Sequence, residues 1–163
     1  MKLSNKIAII GNSFVIGGVV AACSFFINDN DVLAQQSGKQ ITCLADNIYF
    51  ESNNQSQVGQ IAVANVTLNR VNSTHFPNTV CDVVWEHKQF SWTHDNKSDM
   101  PGDAVMYNSI YNLAELVYNG IIPDITEGST FYHADYVDPY WASSMDEKVT
   151  TIDNHIFYKH KGR

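Results

Sequence analysis

Two helical segments that meet at a short polar break place the strongest constraint on the fold of this chain. Residues 41–50 carry their apolar side chains on one helical stripe. Residues 52–55 are poor helix formers, and Ser56 is a good N-cap for a second helix that runs to about Val71. Because this second helix is apolar around most of its circumference, we expect it in the centre of the core. Glu51 is left at the break.

Beyond the second helix, helical patterns give way to short β patterns. The predicted elements are a short helix capped by Asn78 or Thr79, an extended segment at 89–93, a helix from Asp103 to Asn119–Gly120, and β-like segments at 129–133 and 152–159. Helices first and strands later predict an α+β fold. At 163 residues, the chain is long enough for one domain with its own core.

The N-terminal segment has the features of an export signal. Lys2 and Lys6 supply a basic start, and residues 7–27 carry no charge. Residues 32–34, Val-Leu-Ala, fit a cleavage site, which places the mature start near Gln35. Each of these features predicts that the remainder of the chain is exported.

The same apolar run supports two alternatives. Residues 7–27 are about as long as a bilayer-spanning helix, so they suit a retained membrane anchor. Cys23 follows Val-Ala-Ala, which suits a bacterial lipoprotein. All three predictions place the domain outside the cytoplasm, in the periplasm, on the membrane or secreted. We divide the chain into a signal peptide or anchor at 1–34, a polar linker at 35–42 and a folded domain at 43–163.

The predicted export and the net charge of the chain indicate how its cysteines pair and which partners it is unsuited to bind. In an oxidising compartment, Cys43 and Cys81 are expected to form a disulfide, with two buried free thiols as the alternative. The net charge of −7 disfavours binding to nucleic acid, which needs a basic surface. Aromatic residues are frequent, at 12%, and suit either a groove for sugars or a plain core.

Glu51 is the strongest candidate for acid–base chemistry. Its neighbours Tyr49 and Phe50 would remove water from it, and desolvation raises the pKa of a carboxyl group. Such a group can carry a proton near neutral pH and donate it to a departing glycosidic oxygen. The alternative is an ordinary exposed charge at a helix end.

Several segments, in order and at compatible spacing, resemble the cell wall hydrolases related to the spore cortex-lytic enzyme. The matching segments are residues 43–51, 59–64, 68–71, 76–81, 89–92, 130–133, 139–141 and 154–158. The resemblance implies a lysozyme-like fold and cleavage of peptidoglycan between N-acetylmuramic acid and N-acetylglucosamine, without a cofactor. It also implies that Glu51 is the catalytic glutamate of a lytic transglycosylase and that Cys43 pairs with Cys81.

The chain departs from the family pattern at two places. Many relatives follow the glutamate with Ala-Arg-Gly-Glu, whereas here Gln55 replaces the second acid, so the chemistry rests on Glu51. Relatives also commonly have glycine where this chain has Asp153, which affects a turn. The predicted substrate-binding residues are Tyr49, Gln89, Phe90, Ser91, Trp92, Thr130, Tyr132, His133, Tyr140 and Trp141. Asn69 and Arg70 are predicted to fix a loop through hydrogen bonds.

Other mechanisms remain open on the residues alone. A two-carboxylate glycosidase needs a second acid about 5 to 9.5 Å from the first, and spacing singles out none of the aspartates. A hydrolytic muramidase differs only in the nucleophile. A zinc peptidase or amidase could use His87 with His94, or His133 and His155 with Asp135, but no HExxH motif is present, and we predict no metal. The last alternative is a peptidoglycan-binding module without catalysis. We expect the protein to be a monomer.

Overall fold

The computed structural model describes residues 29–145 and 147–159. The helices are α1 at Asp29–Ser52, α2 at Gln57–Val71, α3 at Val80–Trp85 and α4 at Ala104–Tyr118, with short 3-10 helices at Ser91–His94 and Ala142–Ser144. The strands are β1 at Phe131–Ala134, β2 at Glu147–Ile152 and β3 at His155–Lys159. The chain divides into two units between Gly38 and Lys39, and the larger unit holds all the predicted site residues.

The helix boundaries follow from side-chain caps that the sequence predicts. The Ser56 hydroxyl accepts a hydrogen bond from the Gly59 N–H and begins α2. The Asp103 carboxylate accepts from two N–H groups in the first turn of α4. Gly120, at φ 70°, lies just past the end of α4, in the left-handed region that glycine favours. These three predictions are confirmed.

Helix α2 lies in the core, as its pattern predicts. Its residues 62–67 are all buried, and it packs against α3 and α4. The main cluster also includes Leu44, Ile48 and Ile110 from α1 and α4. The Cys43–Cys81 disulfide is confirmed and ties α1 to α3, with a Cα–Cα distance of 5.2 Å.

The C-terminal part is a three-stranded antiparallel sheet in the order β1-β3-β2. Phe157, on the central strand, is fully buried against Ala62 and Val66 of α2. The sheet therefore packs on the helices through β3 and leaves β1 at an edge. The predicted α+β order, with helices first and a small β region last, is confirmed.

Three segments differ from the sequence prediction. Residues 35–42, predicted as a linker, are helical because α1 begins at Asp29 and no proline interrupts it. The segment at 91–94 is a 3-10 helix rather than extended, although Phe90 and Trp92 are buried as the alternating pattern suggests. The Thr93 hydroxyl donates to the Phe90 carbonyl and closes this turn.

The third difference is at the C-terminal hairpin. Strand β2 was not predicted, and the predicted segment 152–159 contains a turn at Asp153–Asn154. Asp153 is at φ 50°, the left-handed conformation that glycine adopts most readily. Its carboxylate accepts hydrogen bonds from the N–H and the hydroxyl of Ser56, at 3.0 and 2.7 Å. The aspartate that stands here in place of the family's glycine therefore links the hairpin to the start of α2.

Within residues 29–145 and 147–159, no helix has both the length and the apolar character needed to cross a bilayer. The predicted apolar leader, residues 7–27, lies outside the described residues. The predicted cleavage point after Ala34 lies within α1.

Candidate active site

Glu51 lies in the last turn of α1 and is partly exposed. The helix ends at Ser52, which is fully buried and whose hydroxyl donates to the Ile48 carbonyl. The N–H of Asn53 closes the last turn on the Tyr49 carbonyl. The polar break thus fixes the glutamate at the end of a buried helix, as expected from the sequence.

Tyr132 of β1 reaches Glu51 from the sheet. Its hydroxyl donates a hydrogen bond to Glu51 Oε2 at 3.0 Å. The tyrosine ring is stacked on Phe157 and meets His155 edge-on, with centroid distances of 5.6 and 5.2 Å. Packing on the central strand therefore holds the hydroxyl in position, and Tyr132, predicted as a substrate-binding residue, contacts Glu51 directly.

Arg70 is a buried cation beside this pair. It is 5% exposed, and its Nε donates to the Thr130 carbonyl at 2.8 Å. Its guanidinium lies over the rings of Phe76 and Phe90, 5.3 and 5.1 Å from their centroids. The prediction that Arg70 fixes a loop by hydrogen bonding agrees with these contacts.

Asn69 has the same role one residue earlier. Its amide nitrogen donates to Asp124 Oδ2, the Thr126 hydroxyl and the Ser129 carbonyl, all within 3.2 Å. Asn69 and Arg70 together anchor residues 124–130, the segment that leads into β1. The position of Tyr132 therefore depends on the end of α2.

The electrostatics suit a carboxyl group that carries a proton. Burial raises the pKa of Glu51 above its ordinary value, while the hydrogen bond from Tyr132 and the charge of Arg70 act in the opposite direction. Burial, followed by the charge of Glu51, raises the pKa of Tyr132 well above its ordinary value. The tyrosine is therefore a hydrogen-bond donor throughout the physiological range. Burial lowers the pKa of Arg70, which nevertheless stays cationic.

Glu86 is a second carboxylate in this cluster that the sequence analysis missed. Its charge raises the pKa of Arg70, as does that of Glu51. Among the described residues, Glu86 Oε2 and Arg70 Nη1 are both buried without a hydrogen-bond partner. Only the fold brings residue 86 near residue 70, because it follows α3 and α3 packs against α2. No spacing rule in the sequence signals this relationship.

Three predicted substrate-binding rings lie in the core instead. Tyr49 is 8% exposed, and its hydroxyl accepts hydrogen bonds from the N–H groups of Gly102 and Asp103. Phe90 is 3% exposed, beneath Arg70. Trp92 is 6% exposed and donates its indole N–H to Asn47. Their burial gives these three rings a packing role, because aromatic rings next to a site motif also serve to pack the helices behind it.

The other predicted residues lie on the surface or at its edge. His133, Trp141 and Tyr158 form a partly buried aromatic cluster, in which the histidine stacks on the tyrosine at 5.3 Å. Tyr140 is 93% exposed. Ser91 is exposed, Gln89 is partly exposed, and Thr130 contributes its carbonyl to Arg70.

The histidines do not form a metal site in the part of the chain that the structure describes, where no three His, Cys, Asp or Glu side chains converge. His87 and His94 have ring centroids 5.9 Å apart, with no third group beside them. The Nε2 atom of His133 is hydrogen-bonded to the hydroxyl of Tyr158, and His155 is buried against Tyr132. The arrangement therefore gives the predicted zinc alternatives no ligand set.

Comparison with known proteins gives the same family as the sequence motifs. The chain matches the Cell Wall Hydrolase family over residues 54–158, a span that begins just after Glu51. The spore cortex-lytic enzyme of Halalkalibacterium halodurans is 32% identical over 78% of this chain and 37% of its own length. That of Oceanobacillus iheyensis is 39% identical over 76% of this chain and 42% of its own length. The chain thus spans about two fifths of the curated relatives that it matches.

Solved structures agree with these matches. The catalytic domain of the Bacillus cereus SleB protein is 30% identical and superposes with a TM-score of 0.60, covering 76% of this chain and 91% of that domain. The catalytic domain of a germination-specific lytic transglycosylase, SleB of Bacillus anthracis, gives the same identity and TM-score over 74% of this chain and 93% of that domain. This chain therefore belongs to the cell wall hydrolase family, and its domain has the lysozyme-like fold of the SleB catalytic domains.

Proposed function

We propose that this chain cleaves the glycan strand of peptidoglycan between N-acetylmuramic acid and N-acetylglucosamine, as a lytic transglycosylase with Glu51 as its one acid and base. The observation that carries the proposal is the partly buried Glu51 carboxyl, with a raised pKa and one oxygen held by Tyr132. The proteins that this chain resembles include spore cortex-lytic enzymes and a germination-specific lytic transglycosylase, which supports the same substrate class.

The reaction begins with protonated Glu51. Since Oε2 accepts the hydrogen bond from Tyr132, the other oxygen is the one that holds the proton and donates it to the glycosidic oxygen. The bond between muramic C1 and that oxygen breaks, and the electron pair leaves with the N-acetylglucosamine oxygen. Positive charge then develops on the muramic ring.

The second half of the reaction returns the proton. The 6-hydroxyl of the same muramic residue attacks C1, and the Glu51 carboxylate accepts its hydrogen, which leaves a 1,6-anhydro end and the starting enzyme. Between the two steps the carboxylate is charged. Arg70 and the Tyr132 hydroxyl stabilise that charged form, since each favours it over the neutral acid.

The proposed location is outside the cytoplasm, where peptidoglycan lies. The basic start and the uncharged run at 7–27 support export, either as a cleaved signal or as a membrane anchor. The confirmed Cys43–Cys81 disulfide fits an oxidising compartment. We propose that the domain acts there as a monomer and without a cofactor.

The test is digestion of purified sacculi, followed by mass spectrometry of the products. We expect anhydro-muramic ends from the natural protein and a loss of at least about 100-fold in rate for Glu51→Gln, the lower bound for a positioned general acid. Glu115→Gln is the matched control, because Glu115 is exposed on α4. Reducing muramic ends would mean hydrolysis by water, and cleaved stem peptides would overturn the proposal. Binding to sacculi without any cleavage would indicate a binding module.

A further inference from the structure

A cavity of about 890 Å³ opens on one side of β1 and does not include Glu51 among its lining residues. Its walls come from the end of α2 with the following loop, from the segment that leads into β1, and from the end of β3. The residues that matter most are Asn69, Asn72, Phe76, Thr130, Phe131 and Lys159. A cavity of this size holds a ligand larger than one sugar ring.

The described lining of the cavity includes Lys159 and no carboxylate, and the Asp124 carboxylate lies behind it, hydrogen-bonded to Asn69 and to the Gly128 N–H. The net charge is −7, yet no Asp or Glu is among the described residues that line it, whereas Lys159 and His75 are. Lys159 is held at the rim, where its Nζ donates to the Glu127 carbonyl at 3.1 Å. Gly128 makes room for it, since a Cβ there would lie 3.1 Å from Nζ. The ammonium is therefore an exposed positive charge at the rim, beside polar Asn, Ser and Thr side chains.

The cavity is joined to the Glu51 site through Arg70 and β1. The rings of Phe76 and Phe131 form an apolar wall with centroids 5.9 Å apart, and the Arg70 guanidinium lies over both. Successive side chains of a strand point to opposite faces, so Phe131 faces the cavity while Tyr132 reaches Glu51. A ligand that crosses the edge strand β1 can occupy both places.

We infer that this cavity binds the acidic stem peptide that branches from the lactyl group of muramic acid. The inference rests on the proposed function, because a glycan strand cut beside Glu51 carries such a stem close to the scissile bond. Stem carboxylates would pair with the Lys159 ammonium, and peptide amides would bond to the Asn, Ser and Thr groups. A free lactyl carboxylate, exposed where a stem has been removed, shares the anionic chemistry and is the competing source of the ligand.

The experiment measures binding of two soluble probes by NMR titration. They are the tripeptide L-Ala-γ-D-Glu-meso-diaminopimelate and free N-acetylmuramic acid, which carries the lactyl carboxylate without a peptide. Neither probe contains the scissile bond, so cleavage does not enter the measurement. Lys159→Gln is compared with Lys148→Gln, a matched loss of one exposed charge on β2 outside the cavity. A thermal melt of each variant checks that both are folded.

We expect the natural protein to bind the tripeptide more tightly than N-acetylmuramic acid. Lys159→Gln should weaken tripeptide binding about three- to fivefold, as for one exposed ion pair, while Lys148→Gln changes it by less than about twofold. The inference is overturned if the tripeptide does not bind, if Lys159→Gln binds it unchanged, or if N-acetylmuramic acid binds equally well through Lys159. Glutamate-dependent glycan cleavage would survive each of these results, so the two proposals fail separately.

Discussion

The Tyr132 hydroxyl donates to Glu51 Oε2 at 3.0 Å and so joins the end of α1 to the edge strand β1 across 81 residues of sequence. The protonation state of the acid therefore depends on where the sheet is placed. Arg70 and Asn69 hold the segment before β1, so three separate elements determine one pKa. In the proposed mechanism Glu51 acts as both acid and base, so its pKa depends on these contacts.

The first prediction concerns Tyr132→Phe. The hydrogen bond favours the charged carboxylate and lowers the pKa of Glu51, so its removal raises that pKa further. The proton-donating form then persists to higher pH, and we expect the alkaline limb of the kcat/KM profile to shift to higher pH. The rate at the optimum should fall by about 10- to 150-fold, since the charged form loses a hydrogen bond worth about 1.5 to 3 kcal/mol. The measurement is a pH–rate profile on solubilised glycan.

Tyr136→Phe is the control for this change, because Tyr136 is 80% exposed and lies outside the Glu51 contact. It should leave both the profile and the rate within about twofold. An unshifted alkaline limb in Tyr132→Phe, with a folded protein, would remove Tyr132 from the acid–base step.

The second prediction concerns stability and pH in Glu51→Gln. Because burial raises the folded-state pKa of Glu51, the folded protein holds this proton more tightly than the unfolded chain does. The contribution is fully present below the unfolded pKa and is lost as pH rises through the folded pKa. Glutamine cannot titrate, so the variant should be more stable than the natural protein at neutral pH, and that advantage should disappear toward pH 4. Urea unfolding at a series of pH values measures the difference.

The difference between the unfolding free energies of the two proteins removes the contributions of Asp46, Asp124 and the other titrating groups that both proteins share. A difference that is constant with pH would mean that Glu51 titrates alike in the folded and unfolded states. A difference that grows toward acid pH would mean that its folded pKa is lowered, contrary to the buried carboxyl proposed here.

Local sequence patterns predicted the helices well but said little about the site beyond Glu51. The Ser56 and Asp103 caps and Gly120 are short-range signals, so α2 and α4 were placed correctly. Glu86 joins Arg70 only through the packing of α3 on α2, and no local pattern encodes that contact.

The aromatic residues show the same limit. Phe90 and Trp92 belong to a matching family segment, but their rings are buried, beneath Arg70 and against Phe50. Tyr132 lies in a similar segment and does reach Glu51. A motif therefore indicates which residues are near a site, whereas the packing of the sheet on the helices decides which of them contact Glu51.

The third prediction concerns the disulfide. The Cys43–Cys81 bridge closes a loop with a sequence separation of 38, for which loop entropy gives a stabilisation of about 4 kcal/mol. Cys43→Ser with Cys81→Ser should lower the unfolding free energy by about 3 to 4 kcal/mol, and a reductant should have the same effect on the natural protein. Equilibrium unfolding with and without dithiothreitol measures both. Reductant should not change the double variant, and equal stability with and without the bridge would contradict the prediction.

The last prediction tests the contact between the hairpin turn and α2. A Cβ added at Gly59 would collide with the Asp153 carboxylate that bonds to Ser56. Gly59→Ala should therefore cost about 1 to 3 kcal/mol, although alanine is otherwise the better helix former. Gly38→Ala is the matched control on α1, where no atom lies within 4 Å of the added carbon, and it should be neutral or slightly stabilising.

The partner variant is Asp153→Gly, which removes the colliding carboxylate and places glycine at φ 50°. This variant loses the hydrogen bonds to Ser56, but glycine adopts the left-handed conformation without the strain that aspartate has there. The unfolding free energy should therefore fall by less than about 1.5 kcal/mol. In the double variant the part of the Gly59→Ala cost that comes from the carboxylate should disappear, while the close contact with Gln55 Cβ at 3.0 Å remains. We expect a coupling energy of about 1 kcal/mol by urea unfolding. Additive costs would mean that the Asp153 carboxylate does not lie against Gly59 in solution. In that case the link between the hairpin and the start of α2 would have to run through other contacts.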